Sequence, residues 1–270
     1  LGDFVAVTGG ADYFLITCLP LNIQTDLTHY PNRLKPNIGD NMKNTLAIAI
    51  FALLVWITPY CVAEDLTGIE IQINQLSDNL GSFPAQFKNV QEQASVAAKY
   101  KAIKASLDKL LEKNPNDEQL LFYRGKLQNM GHNADYKGAW QGATDDLLKL
   151  LKINPANVPA LTLLANHWVN SEISFAAKAE KLYIAAQCYH GDEPLEEVQR
   201  GLFFAFYYQG KMQKAAKQAK FLSDKWSKTP EYKTIADMAL EVLAKKHPVE
   251  AKKIKDNVSK TMISCRTNAE

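Results

Sequence analysis

From about Phe83 onward, apolar residues recur three and four positions apart, and no stretch alternates apolar with polar residues long enough to make a sheet. The pattern predicts helix after helix. The helix after Pro84 carries Val96, Tyr100, Ile103, Leu107, Leu110 and Leu111 on one face, with Pro84 expected in its first turn and Ser82 as its cap.

Prolines punctuate the chain beyond that helix at Pro115, Pro155, Pro194 and Pro230, at intervals of 40, 39 and 36 residues. A proline ends one helix, because the residue before it is pushed out of the α region. It also opens the next, where the first turn needs no amide donor. Each interval accommodates two antiparallel helices and a turn, and a period of this size is the mark of a helical repeat array.

The segments resemble tetratricopeptide repeats with extra loop residues. Their closing helices show a small residue, a large one four later and a proline beyond: Ala143, Leu147, Leu150 and Pro155, then Ala179, Tyr183, Ala186 and Pro194. A third repeat has Gly210 in its turn, followed by Ala215, Ala219 and Leu222. Opening helices pair Leu121 with Gly125, and Leu161 and Leu164 with Ala165 and Trp168. The likeness covers residues 84–246. Departures are the longer period, Phe203 where a small residue is expected, and a glycine-rich turn between Gly131 and Gly142. The resemblance implies an all-α fold, a right-handed superhelical array of antiparallel helix pairs.

It also implies a concave groove lined by the opening helices. Carried over residue by residue, the lining is Phe122, Lys126 and Asn129, then Thr162, Asn166, Val169 and Asn170, then Arg200, Phe204, Tyr207 and Tyr208. The run from Phe203 to Tyr208 is aromatic around too much of a helix for all of it to be core, so one face is expected to meet the groove or a partner. Asn166 and Asn170 lie one turn apart, spaced for successive amides of an extended peptide.

Ahead of the repeats the text differs. Met42-Lys43, the apolar run from Leu46 to Trp56, Pro59 and Cys61-Val62-Ala63 read as a secretory signal peptide, shorter than the roughly 20 residues of a spanning helix. Residues 1–41 are read as untranslated upstream sequence or a disordered segment, residues 42–63 as the signal with cleavage after Ala63, and 64–82 as a lead segment. Residues 83–246 are then the repeat domain and 247–270 a basic helix and tail. The mature protein is expected in a bacterial periplasm or secreted. It keeps two cysteines, Cys188 and Cys265, which either pair in that oxidising setting or remain a buried thiol and a free one.

Composition changes this picture little: 47% hydrophobic residues suit a sizeable core, and a net charge of +2 gives no sign of nucleic-acid binding. Charge is local, with thirteen lysines against six acids between residues 211 and 260 and a stripe at Lys211, Lys214, Lys217 and Lys220. The stripe reads as a solvated face or as an attraction to an acidic partner or envelope lipid.

Catalytic signatures are missing: no His-Glu-x-x-His, no Gly-x-Ser-x-Gly and no phosphate-cradling loop occurs. Val5-Ala6-Val7-Thr8-Gly9-Gly10 lacks the third glycine of a dinucleotide turn. Cys188, His190, Asp192 and Glu193 mix metal-capable groups, but also read as a helix end at His190-Gly191 with Asp192 capping the next helix. Asp145-Asp146 reads as a charge pair at a helix start. The expectation is an exported, non-catalytic scaffold that needs no cofactor and binds a protein or peptide in its groove. The alternatives are a small-molecule-binding accessory protein of a transport system and a metal-dependent enzyme.

Overall fold

The structure, a computed structural model, describes residues 66–257 together with Ile263 and Cys265. The expected signal peptide and all that precedes it lie outside the described residues. The chain divides into two compact units, Leu1–Gly68 and Ile69–Glu270. Residues 66–74 are helical (α1). There follow α2 (Ser77–Leu80), α3 (Val90–Lys113), α4 (Glu118–His132), α5 (Ala139–Ile153), α6 (Val158–Ser171), α7 (Ala176–His190), α8 (Glu196–Tyr208), α9 (Met212–Lys225), α10 (Pro230–Ala244) and α11 (Pro248–Asp256). Among the described residues there is no strand, and no helix is long and apolar enough to cross a membrane.

From α3 to α11, consecutive helices pack on each other. Alternate helices also touch, α4 with α6, α6 with α8 and α9 with α11. The apolar residues picked out by spacing are the ones that are covered: Leu121, Ala143, Leu147, Leu164, Ala165, Ala179, Tyr183, Ala215, Ala219 and Leu222 are all fully buried. A fully buried leucine contributes about 1.5–3 kcal/mol relative to an exposed one, so these stripes dominate the stability of each pair.

Turns repeat as closely as helices do. Asn114 closes α3 at φ −129°, ψ 73°, Asn154 closes α5 at φ −131°, ψ 87°, and Trp226 closes α9 at φ −114°, ψ 57°. Three residues later Asp117, Asn157 and Thr229 stand extended at the head of α4, α6 and α10, each donating its amide back to that closing residue. The Asp117 and Asn157 side chains accept from Leu120 and Ala160 and so satisfy first-turn amides.

Three expectations need correction. The helix after Pro84 begins at Val90 rather than at the proline, because the Asn89 side chain caps the Glu92 amide while the Glu92 carboxylate accepts from the Lys88 amide. Asp146 is not at a helix start, since α5 begins at Ala139. It is buried and takes two hydrogen bonds from Arg124, at 2.8 and 2.6 Å, and a third from Gln128 at 2.7 Å. Arg124 also reaches Asp108 at 2.8 Å, so one guanidinium ties α3, α4 and α5 together. Burial alone would raise the Asp108 carboxyl, but hydrogen bonds from Lys104 and Arg124 hold it below its usual value. The third correction is that Asp192 caps nothing: α8 starts at Glu196 after Leu195, with no side-chain cap.

In the lead segment Ile69, Ile73, Leu76 and Leu80 are buried. At the far end Cys188 of α7 is joined to Cys265, a residue 77 positions on, with Cα atoms 5.2 Å apart.

Two measurements check this packing. A β-carbon at Gly125 would lie 2.9 Å from Leu147 Cγ, and Ala165 has no exposed surface. Gly125→Leu and Ala165→Leu are therefore each expected to lower stability by about 1–3 kcal/mol in denaturant titration; a neutral result for either would place the helix contacts elsewhere. Cross-linking a loop of this length restricts the unfolded chain, so Cys188→Ser should cost about 2–4 kcal/mol. Adding reductant to the native protein should bring its melting temperature down to that of the variant.

Candidate functional site

Alternate helices are joined by a ladder of side-chain hydrogen bonds. Between α1 and α4, the Tyr123 hydroxyl donates to Glu70 at 2.8 Å and Lys126 donates to Asn74 at 2.9 Å. Asn129 of α4 meets His167 of α6 at 2.8 Å. Asn166 of α6 donates to Glu197 of α8 at 2.6 Å, and Tyr232 of α10 donates to Glu196 of α8 at 2.8 Å. These helices therefore lie side by side in the order α1, α4, α6, α8, α10. Burial and the Glu70 carboxylate push the Tyr123 phenol up to about 12, which keeps it a donor.

The residues expected to line a groove fall into three groups on this face. Thr162 and Val169 are buried, and the Thr162 hydroxyl donates to the Val158 carbonyl one turn back. Lys126, Asn129 and Asn166 are half-buried and carry rungs of the ladder. Asn166 does so twice, because its amide oxygen also accepts from the Tyr183 hydroxyl at 2.6 Å. Phe122, Arg200, Phe204, Tyr207 and Tyr208 are half-buried and Asn170 is exposed.

Within the aromatic run the two faces part. Phe203 and Phe206 are buried, while Phe204, Tyr207 and Tyr208 keep open surface. Phe204 stacks on Tyr208 with ring centroids 6.2 Å apart, and Tyr207 meets Tyr208 edge-on at 5.9 Å. Among the described residues neither hydroxyl has a hydrogen-bond partner, so each can donate to a carbonyl while the rings offer apolar area. Burial and the neighbouring Tyr207 raise the Tyr208 phenol above its ordinary value.

The histidines are widely separated in sequence, but the fold brings two together. His132 and His167 have ring centroids 5.6 Å apart, and Trp140 lies at the same distance from His167. Trp140 meets Phe175, which stacks on Trp168, and Lys178 stands 4.7 Å over the Phe175 ring. Nothing local in the sequence marks this cluster, because its members come from α4, α5, α6, the short turn at Ile173–Phe175 and the start of α7. The His167 Nε2 lies 3.1 Å from the Trp140 carbonyl, which can only accept. Nδ1 lies 2.8 Å from the Asn129 side-chain oxygen, also an acceptor, so a neutral ring, with one N–H, donates to one of the two at a time.

The cluster from Cys188 to Glu193 cannot use its sulfur as a metal ligand, since that atom is in the disulfide, and Glu193 pairs with Lys225 at 2.9 Å. The lysine stripe is also engaged: Lys211 pairs with Glu180, Lys217 with Glu250 and Lys220 with Asp224. Lys214 stands 5.4 Å over the Phe206 ring. No family model, curated protein or solved structure matches the chain.

The His167 ring gives this region a pH dependence with a definite sign. Burial, with a smaller push from His132, outweighs the Trp140 carbonyl and lowers its pKa from 6.5 to about 4. The fold thus favours the neutral ring. Its contribution is complete above the unfolded-state value near 6.5 and is lost as the pH falls through about 4, up to roughly 3 kcal/mol in all. Carboxylates titrate near the lower end of this range, so the quantity to measure is the stability difference between wild type and His167→Gln across pH 7 to 4. It should shrink as the pH falls. A difference that stays constant means the ring does not titrate as described.

Proposed function

We propose that this chain is an exported, non-catalytic scaffold built of tetratricopeptide-like helix pairs, which holds a protein or peptide against the face formed by α4, α6 and α8. The observation that carries the reading is the open aromatic strip of Phe204, Tyr207 and Tyr208, whose hydroxyls have no partner among the described residues. Core aromatics such as Phe203 and Phe206 close their surface. A strip that stays open, on helices held in fixed order by a hydrogen-bonded ladder, suits recognition of an extended segment that brings both carbonyls and apolar side chains.

The repeated turns and the contacts between alternate helices support a right-handed superhelical array, in which the ladder helices form one wall. The disulfide supports export, because such bonds persist in oxidising compartments. Arg200, one turn before Phe204 on α8, and the exposed Asn170 of α6 are the polar groups proposed to fix register.

The ladder decides which variants probe binding cleanly. Asn166 holds Tyr183 and Glu197, so Asn166→Ala is expected to lower stability by about 1–3 kcal/mol and is not a clean probe. Tyr207→Ala, Tyr208→Ala and Asn170→Ala should each cost under about 1 kcal/mol while weakening capture of whatever the wild-type chain, starting at Glu64, retains from envelope extract. Melts and retention measured side by side decide it. If Tyr207→Ala and Tyr208→Ala both unfold the protein while Asn170→Ala binds normally, the strip is core and the groove reading fails.

A further inference from the structure

At the other end of the array, a cleft of about 750 Å³ opens between the start of α9 and the turn from α10 into α11. This lies within the roughly 300–1,000 Å³ range of small-molecule sites. Met212, Val242 and Leu243 give it an apolar floor, and Lys211, Lys214 and Lys246 stand around it. Val242, which lines this cleft, is 40% exposed.

The three lysines are not equivalent. The charge of Lys211 is met by Glu180 at 2.7 Å. Lys214 makes no ion pair among the described residues and stands over the face of Phe206, with Glu180, already held by Lys211, as an acid that feels its charge from farther off. Lys246 makes no ion pair among the described residues either. The acid on the wall, Glu250, is engaged by Gln213 at 2.6 Å and by Lys217 at 3.8 Å. The cleft therefore presents two ammonium groups without an ion-pair partner of their own above apolar surface.

We infer that the cleft binds an anionic amphiphile, a single acidic head on an apolar tail, with Lys214 and Lys246 taking the head and Val242, Leu243 and Met212 the tail. Each half of such a ligand meets what one wall lacks. An inorganic anion would leave the apolar floor wet, and a neutral tail would leave both ammonium groups unpaired. The site is built from α9 to α11 and stands whether or not the aromatic strip binds a partner. Two sources share this chemistry, a free fatty acid and an acidic phospholipid in a bilayer, and the inference is for the monomeric amphiphile.

The test is a calorimetric titration of the full chain with decanoate, run beside decanol, inorganic phosphate and phosphatidylglycerol vesicles. Decanoate is expected to bind with a Kd below about 1 mM, and decanol and phosphate each at least about tenfold more weakly. The double variant Lys214→Glu/Lys246→Glu and the single variant Val242→Asp should each weaken decanoate by at least about tenfold while melting like the wild type. Should a variant fail to fold, amide shifts in the wild-type protein serve instead, and decanoate must move Val242 and Lys246. Three results would overturn the inference. These are no decanoate binding, equal binding by folded variants, and retention on vesicles without binding of monomeric decanoate.

Discussion

Tyr183 holds the middle of this structure together. Its ring is fully buried on α7 and lies against the backbone of α8 at Gly201, where any β-carbon would collide with it. Its hydroxyl reaches Asn166 on α6, and Asn166 in turn donates to Glu197 on α8. Three helices are thus fixed by one phenol, a missing side chain and one amide. Burial, reinforced by Glu197, raises the Tyr183 pKa well above its ordinary value, so the hydroxyl remains a donor. The spacing between α6 and α8 depends on that bond, and with it the position of the aromatic strip.

The same constraint recurs in other chemistry along the array. Burying a polar group is costly unless it is hydrogen-bonded, and the helices meet through polar groups that supply each other's partners. Gln187, Gln199 and Gln218 are buried on α7, α8 and α9. Gln199 donates to Gln187 at 2.9 Å, and Gln218 donates to Gln199 at 2.8 Å. Gln187 also receives the Leu195 amide and donates to the Gly191 and Glu193 carbonyls, which closes the loop between α7 and α8. Apolar stripes alone allow one helix to slide along another by a turn at modest cost. Amides and guanidinium groups with directional partners do not, and this restricts the register of each contact.

This division also explains what is legible in the sequence. Apolar spacing locates the helices from α4 onward, and the motif residues Leu121, Ala143, Leu147, Ala165 and Tyr183 are all core, because burial of a helix face is a local, periodic property. Pro115 and Pro155 fall in the turns that precede Asp117 and Asn157, and Pro230 opens α10 directly after Thr229. The ladder is not legible. Tyr123 and Glu70 lie 53 residues apart, and no local pattern ties a tyrosine to a distant carboxylate. Asn166 reads the same in sequence as the exposed Asn170 one turn on, yet one is bonded to two helices and the other has open surface. The start of α3 escapes a reading from spacing for a related reason: Pro84 fits a first helical turn, but the Asn89 cap, with Glu92 three residues on, fixes the boundary.

Charge follows the same logic. The lysine stripe of α9 has a strong sequence signal, and in isolation it would give one continuous positive surface. Folding places Glu180 of α7 beside Lys211 and Glu250 of α11 beside Lys217, while Lys220 pairs with Asp224 one turn on. Exposed pairs of this kind add little stability, typically about 0–1 kcal/mol, but they do change the field, because each cancels a charge within a few ångströms. The excess positive charge is therefore not spread along the helix. Part of it is left at Lys214 and Lys246, which make no ion pair among the described residues and stand beside the apolar residues of the cleft. A ligand drawn to this end of the molecule would meet two cations and a greasy wall rather than a uniform basic stripe.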